Sequence, residues 1–276
     1  MNKRTALIVF ISMCFLSAIA FEQLIVSVKA NPYTNVSVSE AKAMIDADPT
    51  PVILDVRYQY EYDDGHIRNA ILIPSDQLSS RLDELDKEKD TLVYCRSGGR
   101  SAAACGILDG NGFTNVYNML GGILAWIDAG YPIEVVFNVV WAAETYPVVT
   151  FSNSTITNFD FNQPLKQISL DVTGTDGTTG FCNVTIPIVL LDGDFTVLID
   201  ETPVGYALAQ TASHSFIYFG YSHTTKHVKI VGTTVIDEPT PPPVPEFPIG
   251  MALEISSISV IIYMLRKNRR KQNLPS

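Results

Sequence analysis

The chain has 276 residues, of which 46% are hydrophobic and 17% charged, and its formal net charge is −10. This length suits two domains of about 100–150 residues each, and the composition suits globular domains with one or two membrane-directed segments. The negative charge argues against a nucleic-acid partner, because binding to phosphate requires Lys and Arg clustered on one face.

Residues 1–30 have the layout of a secretory signal peptide or an N-terminal anchor. Lys3 and Arg4 precede an apolar run from Ala6 to Ala20, which is the charge-then-apolar order of such signals. Small residues place the cleavage site after Ala20 or after Ala30, and an uncleaved run would remain as an anchor. In either case we expect the rest of the chain to be exported.

Residues 34–134 alternate between short apolar runs and helix-like stretches. The apolar runs, which predict buried parallel strands, are Val52–Leu54, Ala70–Ile73 and Thr91–Tyr94. The predicted helices are one opened by a capping box of Ser37 and Glu40 and ending near Asp46, one marked by Leu78, Leu82 and Leu85, and then Ser101–Leu108 and Gly122–Ala129. This alternation predicts an α/β domain, with a parallel sheet covered by helices on both faces.

A Gly-rich turn with one cysteine, residues 95–100, lies between a predicted strand and a predicted helix. Gly98 and Gly99 let the backbone curl so that its N–H groups point inward, and the start of the next helix adds its positive end. Arg96 and Arg100 supply further positive charge. A cysteine at the mouth of such an anion-binding nest is expected to have a lowered pKa, so we interpret Cys95 as an activated nucleophile. The alternative is an inert core thiol.

Five motifs follow one another around this turn. They are Asp55-Val56-Arg57, Glu61-Tyr62 with Gly65-His66-Ile67, Ala70-Ile71-Leu72-Ile73-Pro74, Tyr94-Cys95-Arg96-Ser97-Gly98-Gly99-Arg100-Ser101, and Gly121-Gly122 with Trp126, Gly130 and Pro132. In order and spacing they resemble the motifs of the rhodanese family, over about a hundred residues.

The resemblance implies a sulfurtransferase that needs no cofactor. Cys95 would take the sulfane sulfur of thiosulfate or a persulfide donor and pass it from a persulfide to a thiol or cyanide. The backbone amides of Arg96, Ser97, Gly98, Gly99 and Arg100 would stabilise the charge of the persulfide. Arg100 would also orient the anionic donor. Asp55 and Arg57 are expected to give structural support to the turn.

Other functions remain open from the sequence. Phosphatases and arsenate reductases of related fold have one more residue between Cys and Arg, whereas four residues separate Cys95 from Arg100 here, which favours sulfur transfer. A persulfide carrier or sulfide sensor without turnover, and a purely structural surface protein, are further alternatives.

Several other polar residues receive structural interpretations. We expect Cys105 to pack in the core, with a resolving thiol as the alternative. We expect His66 to be a structural hydrogen-bonding residue, with a general base as the alternative. No metal site is predicted, because His223 and His227 could share a strand face but have no evident third ligand. Cys182 has no visible disulfide partner.

Residues 135–236 lose the helical periodicity and become rich in Thr, Val, Phe, Tyr and Asn. About seven strands with turn signals between them predict an all-β sandwich of immunoglobulin-like type. The segment resembles β-rich modules of archaeal surface proteins. We interpret it as a spacer or structural module, with ligand or carbohydrate binding as the alternative.

The end of the chain resembles the C-terminal anchoring signals of archaeal surface proteins. A Pro-rich linker at 237–248 precedes an apolar segment at 249–265, which is predicted to span the membrane, and a basic cytoplasmic tail at 266–276. The alternative for 249–265 is an amphipathic helix. Asn35, Asn153 and Asn183 lie in glycosylation acceptor tripeptides. We therefore expect an extracytoplasmic protein anchored to the cell membrane or surface.

Overall fold

The computed structural model describes residues 33–234. The predicted leader, Pro-rich linker, apolar segment and basic tail lie outside these residues. Within residues 33–234, no helix combines the length and hydropathy that a membrane span requires. The described residues all belong to one compact unit, which ends at Ile236.

The first half of this unit is a five-stranded parallel sheet with helices on both faces, as the sequence predicts. The strand order is β1-β5-β4-β2-β3. In chain order the elements are β1 (Thr34–Val36), α1 (Val38–Asp46), β2 (Val52–Asp55), α2 (Gln59–Asp63), β3 (Ile71–Leu72), β4 (Thr91–Tyr94), α3 (Gly99–Gly110), β5 (Val116–Met119) and α4 (Gly122–Asp128). The carboxyl ends of β2 and β4 therefore lie at one edge of the sheet, where this fold class binds its ligands.

Neighbouring residues of the central strands pack into two separate cores. Leu54 and Val93 point toward α3 and join Cys105 and Leu108 in one apolar cluster. Leu92 and Tyr94, one residue away, point to the opposite face and pack with Trp126 of α4, among other residues. Successive side chains of a strand alternate between faces, so a strand buried on both sides must be apolar throughout.

The segment around Leu78, Leu82 and Leu85 is not an α-helix, which corrects the prediction. It forms two single-turn 3-10 helices, at Leu78–Ser80 and Leu82–Glu84. The hydroxyl of Ser80 donates a hydrogen bond to the carbonyl of Gln77, and this local bond competes with a continuous helix. Leu78 and Leu85 are nevertheless buried. The apolar spacing therefore identified core residues but not the type of helix.

The second half is a sandwich of two five-stranded antiparallel sheets around one apolar core. It has ten strands rather than the predicted seven or so, and the five-plus-five arrangement differs from the four-plus-three of constant-type immunoglobulin domains. The strands are β6 (Ile133–Trp141), β7 (Glu144–Ser152), β8 (Thr155–Asn162), β9 (Gln167–Thr173), β10 (Thr179–Pro187), β11 (Thr196–Ile199), β12 (Thr202–Val204), β13 (Ala207–Gln210), β14 (His214–Ser222) and β15 (Lys226–Val231). The strand orders in the two sheets are β13-β14-β10-β7-β6 and β12-β11-β15-β9-β8.

The two halves contact each other through the segment that follows α2. His66 and Glu134 form an antiparallel bridge, with backbone N–H to carbonyl distances of 2.9 and 2.8 Å. Arg68 donates a hydrogen bond to the carboxylate of Glu134 at 2.8 Å, and its guanidinium lies 3.5 Å from the ring centroid of Phe151. These contacts attach the sandwich directly to the α/β half.

Candidate active site

Cys95 directly follows β4, and its side chain lies at the base of the turn. The residue is only 1% exposed, so it does not lie at the mouth of the turn as the sequence interpretation expected. The start of α4 is bonded to the backbone of the turn, because Ile123 N–H donates to the Cys95 carbonyl at 2.9 Å and Leu124 N–H donates to the Arg96 carbonyl at 3.2 Å. Cys95 itself packs in the apolar cluster that contains Val93, Ala104 and Cys105.

Two donors face the sulfur of Cys95, and one of them, the Gly98 N–H, is among the turn amides that the sequence analysis named. The Gly98 N–H donates to Sγ of Cys95 at 3.1 Å, and the Ser101 hydroxyl lies 3.5 Å from the same atom. Gly98 has a φ of 99°, which a residue with a Cβ rarely adopts. Gly99 is the first residue of α3 and is not among the residues with positive φ, so only one of the two glycines supplies the curl.

The pKa of the Cys95 thiol is lower than its ordinary value. Burial is the largest single influence and raises the pKa, but the hydrogen bonds together outweigh it. They come from the side chain and backbone of Ser101 and from the backbones of Ser97 and Gly98. Because these donors favour the negative form, the site stabilises a thiolate.

Arg100 is held by Glu61, a residue to which the sequence interpretation gave no role in the site. Nη1 and Nη2 of Arg100 each lie 2.7 Å from one carboxylate oxygen of Glu61. The guanidinium also lies 5.5 Å from the ring centroid of Tyr58. The pKa of Arg100 is raised, mainly because its guanidinium donates hydrogen bonds to Glu61. The same hydrogen bonds are the main cause that lowers the pKa of Glu61. The family resemblance implies that Arg100 orients an anionic donor, and its guanidinium is already bonded to Glu61 before a donor binds.

Arg96 lies beside a cleft of about 320 Å³. Its side chain is exposed and, among the described residues, makes no hydrogen bond or ion pair. Arg57 and Glu61 also line the cleft, together with apolar residues of α4 such as Ile123. Cys95 does not line it. Arg96 is therefore the guanidinium of the turn that is better placed to meet an anion in solution.

Asp55 and Arg57 form a buried pair behind the turn, where the sequence predicted structural support. Asp55 is 0% and Arg57 4% exposed. Nε of Arg57 lies 3.0 and 2.9 Å from the two carboxylate oxygens, and Nη2 lies 2.7 Å from Oδ2. Nη2 also donates to the Gly65 carbonyl at 2.8 Å. The pair thus connects the end of β2 to the segment that follows α2.

The remaining titratable residues that the sequence singled out have structural partners. His66 stacks on Tyr62, with ring centroids 3.6 Å apart. Cys105 and Cys182 are both fully buried, and burial raises the pKa of each to about 12. His223 bonds the hydroxyls of Ser154 and Thr178, while His227 bonds Asp171, so the two imidazoles have separate surroundings.

The three glycosylation acceptors lie on strands or at their ends. Asn35 is exposed on β1, and Asn183 is half-buried on β10. Both side-chain atoms of Asn153 bond the backbone of β10, through the carbonyl of Thr179 and the N–H of Phe181. A glycan on Asn153 would replace one of the two hydrogens on the nitrogen that makes the first of these bonds.

The ion pair between Arg100 and Glu61 is expected to stabilise the fold. Glu61→Gln should lower the free energy of unfolding by about 1 kcal/mol, because the two-pronged charged hydrogen bond becomes a weaker neutral one. Thermal unfolding measures the change.

Glu84→Gln is the matched control for this pair. It removes a similar two-pronged pair between Arg81 and Glu84 on the open surface, where side-chain exposure is 34% and 44%, and should change the unfolding temperature little. Equal losses in the two variants would contradict a stabilising role for Glu61.

Comparisons with known proteins agree with the motifs. Residues 37–129 match the model of the rhodanese-like domain. A sulfurtransferase of Allochromatium vinosum is 40% identical over 96 residues, which cover 34% of this chain and 90% of that protein. A tRNA uridine(34) hydroxylase of Yersinia pestis is 39% identical over 107 residues, which cover 35% of this chain but only 30% of that enzyme. Among solved structures, a rhodanese-related protein of Thermoplasma volcanium is 36% identical, with 37% of this chain and 97% of that chain covered and a TM-score of 0.34.

The α/β half and its cysteine turn account for these matches. The sulfurtransferase is covered over nearly its whole length at substantial identity, so the similarity extends beyond isolated motifs. The chain therefore belongs to the rhodanese-like family, with its rhodanese-like domain at residues 37–129 and sulfurtransferases among its relatives.

Proposed function

We propose that the protein transfers sulfane sulfur through a persulfide on Cys95. The thiolate attacks the outer sulfur of thiosulfate, and the sulfur–sulfur bond of the donor breaks so that sulfite leaves with the electron pair. A thiol or cyanide then attacks the terminal sulfur of the persulfide, its sulfur–sulfur bond breaks, and the Cys95 thiolate returns. Each half-reaction thus forms and breaks one bond to sulfur, which is double displacement with a covalent intermediate.

The arrangement of donors around Sγ of Cys95 is the observation that carries this proposal. Gly98 N–H and the Ser101 hydroxyl face the sulfur, and the pKa of the thiol is lowered. The same donors can stabilise the sulfur that leaves when the acceptor attacks. The short turn, with four residues between Cys95 and Arg100, favours a sulfur substrate over the tetrahedral oxyanion of a phosphatase or arsenate reductase.

Thiocyanate formation from thiosulfate and cyanide tests the chemistry. We expect turnover with ping-pong kinetics, and mass spectrometry of the protein treated with donor alone should find one extra sulfur atom on Cys95. Turnover without this adduct would contradict the covalent route. An adduct without turnover would favour a persulfide carrier. The absence of both, with every sulfane donor tried, would remove the sulfurtransferase proposal.

We also propose that the protein is exported and tethered to the membrane, with the rhodanese-like domain outside. The support is the charge-then-apolar order at residues 1–30 and the order of linker, apolar segment and basic tail from 237 to 276. In this proposal the sandwich is a structural module between the enzyme and the membrane. A reagent that cannot cross membranes should label the rhodanese-like domain on intact cells. An unlabelled domain would contradict the proposed location.

A further inference from the structure

Asn118 is a polar residue on an apolar face of the sheet. It is 2% exposed, and Val116, two residues earlier on the same face of β5, packs in the core with Cys105 and Leu108. A buried amide costs free energy unless both of its polar atoms find partners. Here both atoms have partners, and one of the partners, Ser101, lies beside the reactive thiol.

The pairing of three parallel strands places Asn118 between the surface and the turn. Asn35 on β1 is its register partner on one side, and Val93 on β4 is its partner on the other. Cys95, two residues beyond Val93, packs in the same apolar cluster as Val93. The side chains of Asn35 and Asn118 are bonded, because Nδ2 of Asn118 donates to Oδ1 of Asn35 at 2.8 Å. Asn35 itself is exposed at the edge of the sheet.

The Ser101 hydroxyl has one proton and three acceptors within reach. Its oxygen lies 2.7 Å from Oδ1 of Asn118, 3.0 Å from the Gly98 carbonyl and 3.5 Å from Sγ of Cys95. A hydroxyl donates its proton to one acceptor at a time, and the shortest of these bonds goes to Asn118. A bond from Ser101 to the sulfur therefore requires the loss of the bond to Asn118.

We propose that Asn118, held in orientation by Asn35, is a positioning residue that competes with Cys95 for the hydroxyl proton of Ser101. In the thiol form the hydroxyl points to Asn118, and in the thiolate form it turns to the sulfur. The amide thus limits how far Ser101 can stabilise the thiolate. This inference rests on the sulfur transfer proposed above and concerns the regulation of its nucleophile.

The charges that face Cys95 stay unchanged when Asn118 is replaced. Arg96 belongs to the turn itself, and α3 contributes Arg100 and Cys105. Glu61 of α2 is bonded to Arg100, and Asp55 is bonded to Arg57. From α4, Gly122 and Ile123 lie against the backbone of Cys95 and are uncharged, and from β5 the uncharged Asn118 is bonded to Ser101, while Tyr94 and Tyr117 face the other side of the sheet. A change in the pKa of Cys95 in these variants therefore reports a change in the hydrogen bond from the Ser101 hydroxyl.

The pH dependence of Cys95 alkylation tests this competition in the full chain. The rate of reaction with iodoacetamide, followed at Cys95 by peptide mass spectrometry, gives the apparent pKa of the thiol. Asn118→Ala should lower that pKa by about half a unit to one unit, the contribution of one neutral hydrogen bond. A lower pKa means more thiolate at a given pH, so at any pH well below the measured pKa alkylation should become about three- to tenfold faster. General loosening of the turn would have the opposite sign.

Ser101→Ala supplies the second half of the test. It should raise the pKa of Cys95 by about one unit, because the sulfur loses a donor, and Asn118→Ala should then have no further effect. Asn115→Ala, at an exposed asparagine just before β5, is the matched control and should change nothing. If Asn118→Ala does not fold, Asn35→Ala at the exposed end frees the amide to rotate and should shift the pKa in the same direction.

Two results would overturn the inference. One is a pKa of Cys95 that rises or stays constant in Asn118→Ala and Asn35→Ala, and the other is an equal shift from Asn118→Ala in the absence of Ser101. Alkylation needs no sulfur donor or acceptor, so this readout stays valid if thiocyanate formation fails. Failure of the inference and failure of the proposed function are thereby distinguishable.

Discussion

Replacement of Cys95 by Ser is expected to reduce thiocyanate formation to the uncatalysed level while the fold remains intact. The thiolate is the attacking form, and the turn lowers the pKa of Cys95 by hydrogen bonds that outweigh the effect of burial. A serine hydroxyl stays protonated at neutral pH and cannot hold sulfur as a persulfide. The oxygen still accepts from the Gly98 N–H, so we expect a loss of only about 1 kcal/mol in the free energy of unfolding.

Cys105→Ala is the matched control for this variant. Cys105 is the next cysteine along the chain, is fully buried on α3 and has a pKa raised to about 12, so it remains a thiol at neutral pH. The control should lose some stability from the small cavity but keep its turnover. Turnover that survives in Cys95→Ser, or that disappears in a folded Cys105→Ala, would place the nucleophile elsewhere.

Much of the α/β half follows from local sequence patterns. The run Thr91–Tyr94 predicts β4 with its bounds, because a strand buried on both faces must be continuously apolar. Ser37 and Glu40 predict the start of α1, where both bonds of the capping box are present. The position of Cys95 at the end of β4 follows from the same patterns.

The less predictable features of the site depend on tertiary contacts. Glu61 lies 39 residues before Arg100, and no local rule links the two charges. Glu61 and Tyr62 form one of the family motifs, but the motif did not indicate that Glu61 pairs with Arg100. Asn118 belongs to none of the motifs, and its bond to Asn35 depends on the pairing of the first and last strands of the α/β half along the chain. The burial of Cys95 depends on an apolar cluster that draws residues from several elements, such as Leu54 of β2, Val93 of β4 and Cys105 of α3.

In the sandwich, residue patterns predict too few strands, because some strands carry no such pattern. Ile168, Leu170 and Val172 alternate with polar residues, which predicts a half-buried strand, and Gln167–Thr173 forms β9 with alternating burial. The strand β13, Ala207–Gln210, is exposed at all four positions and carries no periodic signal. Short or fully exposed strands are defined by backbone pairing with a neighbour, which residue types alone do not reveal.

Gly122→Ala is expected to reduce turnover by about a hundredfold through movement of the turn. Gly122 begins α4 with a φ of 59°, and a Cβ there would lie 2.4 Å from the Cys95 carbonyl oxygen and 2.6 Å from the backbone of Arg96. These are backbone atoms and cannot rotate away, so α4 and the turn must separate by roughly 1 Å. A displacement of this size at reacting groups costs about 10² in rate. The thiocyanate assay measures the loss.

Gly112→Ala separates this steric effect from backbone strain. Gly112 also has a positive φ, of 86°, but a Cβ there has no neighbour within 4 Å. Both variants should lose about 1–3 kcal/mol of stability from the left-handed conformation, while only Gly122→Ala should lose turnover and the low pKa of Cys95. The steric argument fails if Gly122→Ala retains full activity, or if the control loses as much. Since Gly122 contacts the carbonyl of Cys95 and not its sulfur, a selective loss would also indicate that the position of the backbone around the thiol determines the rate.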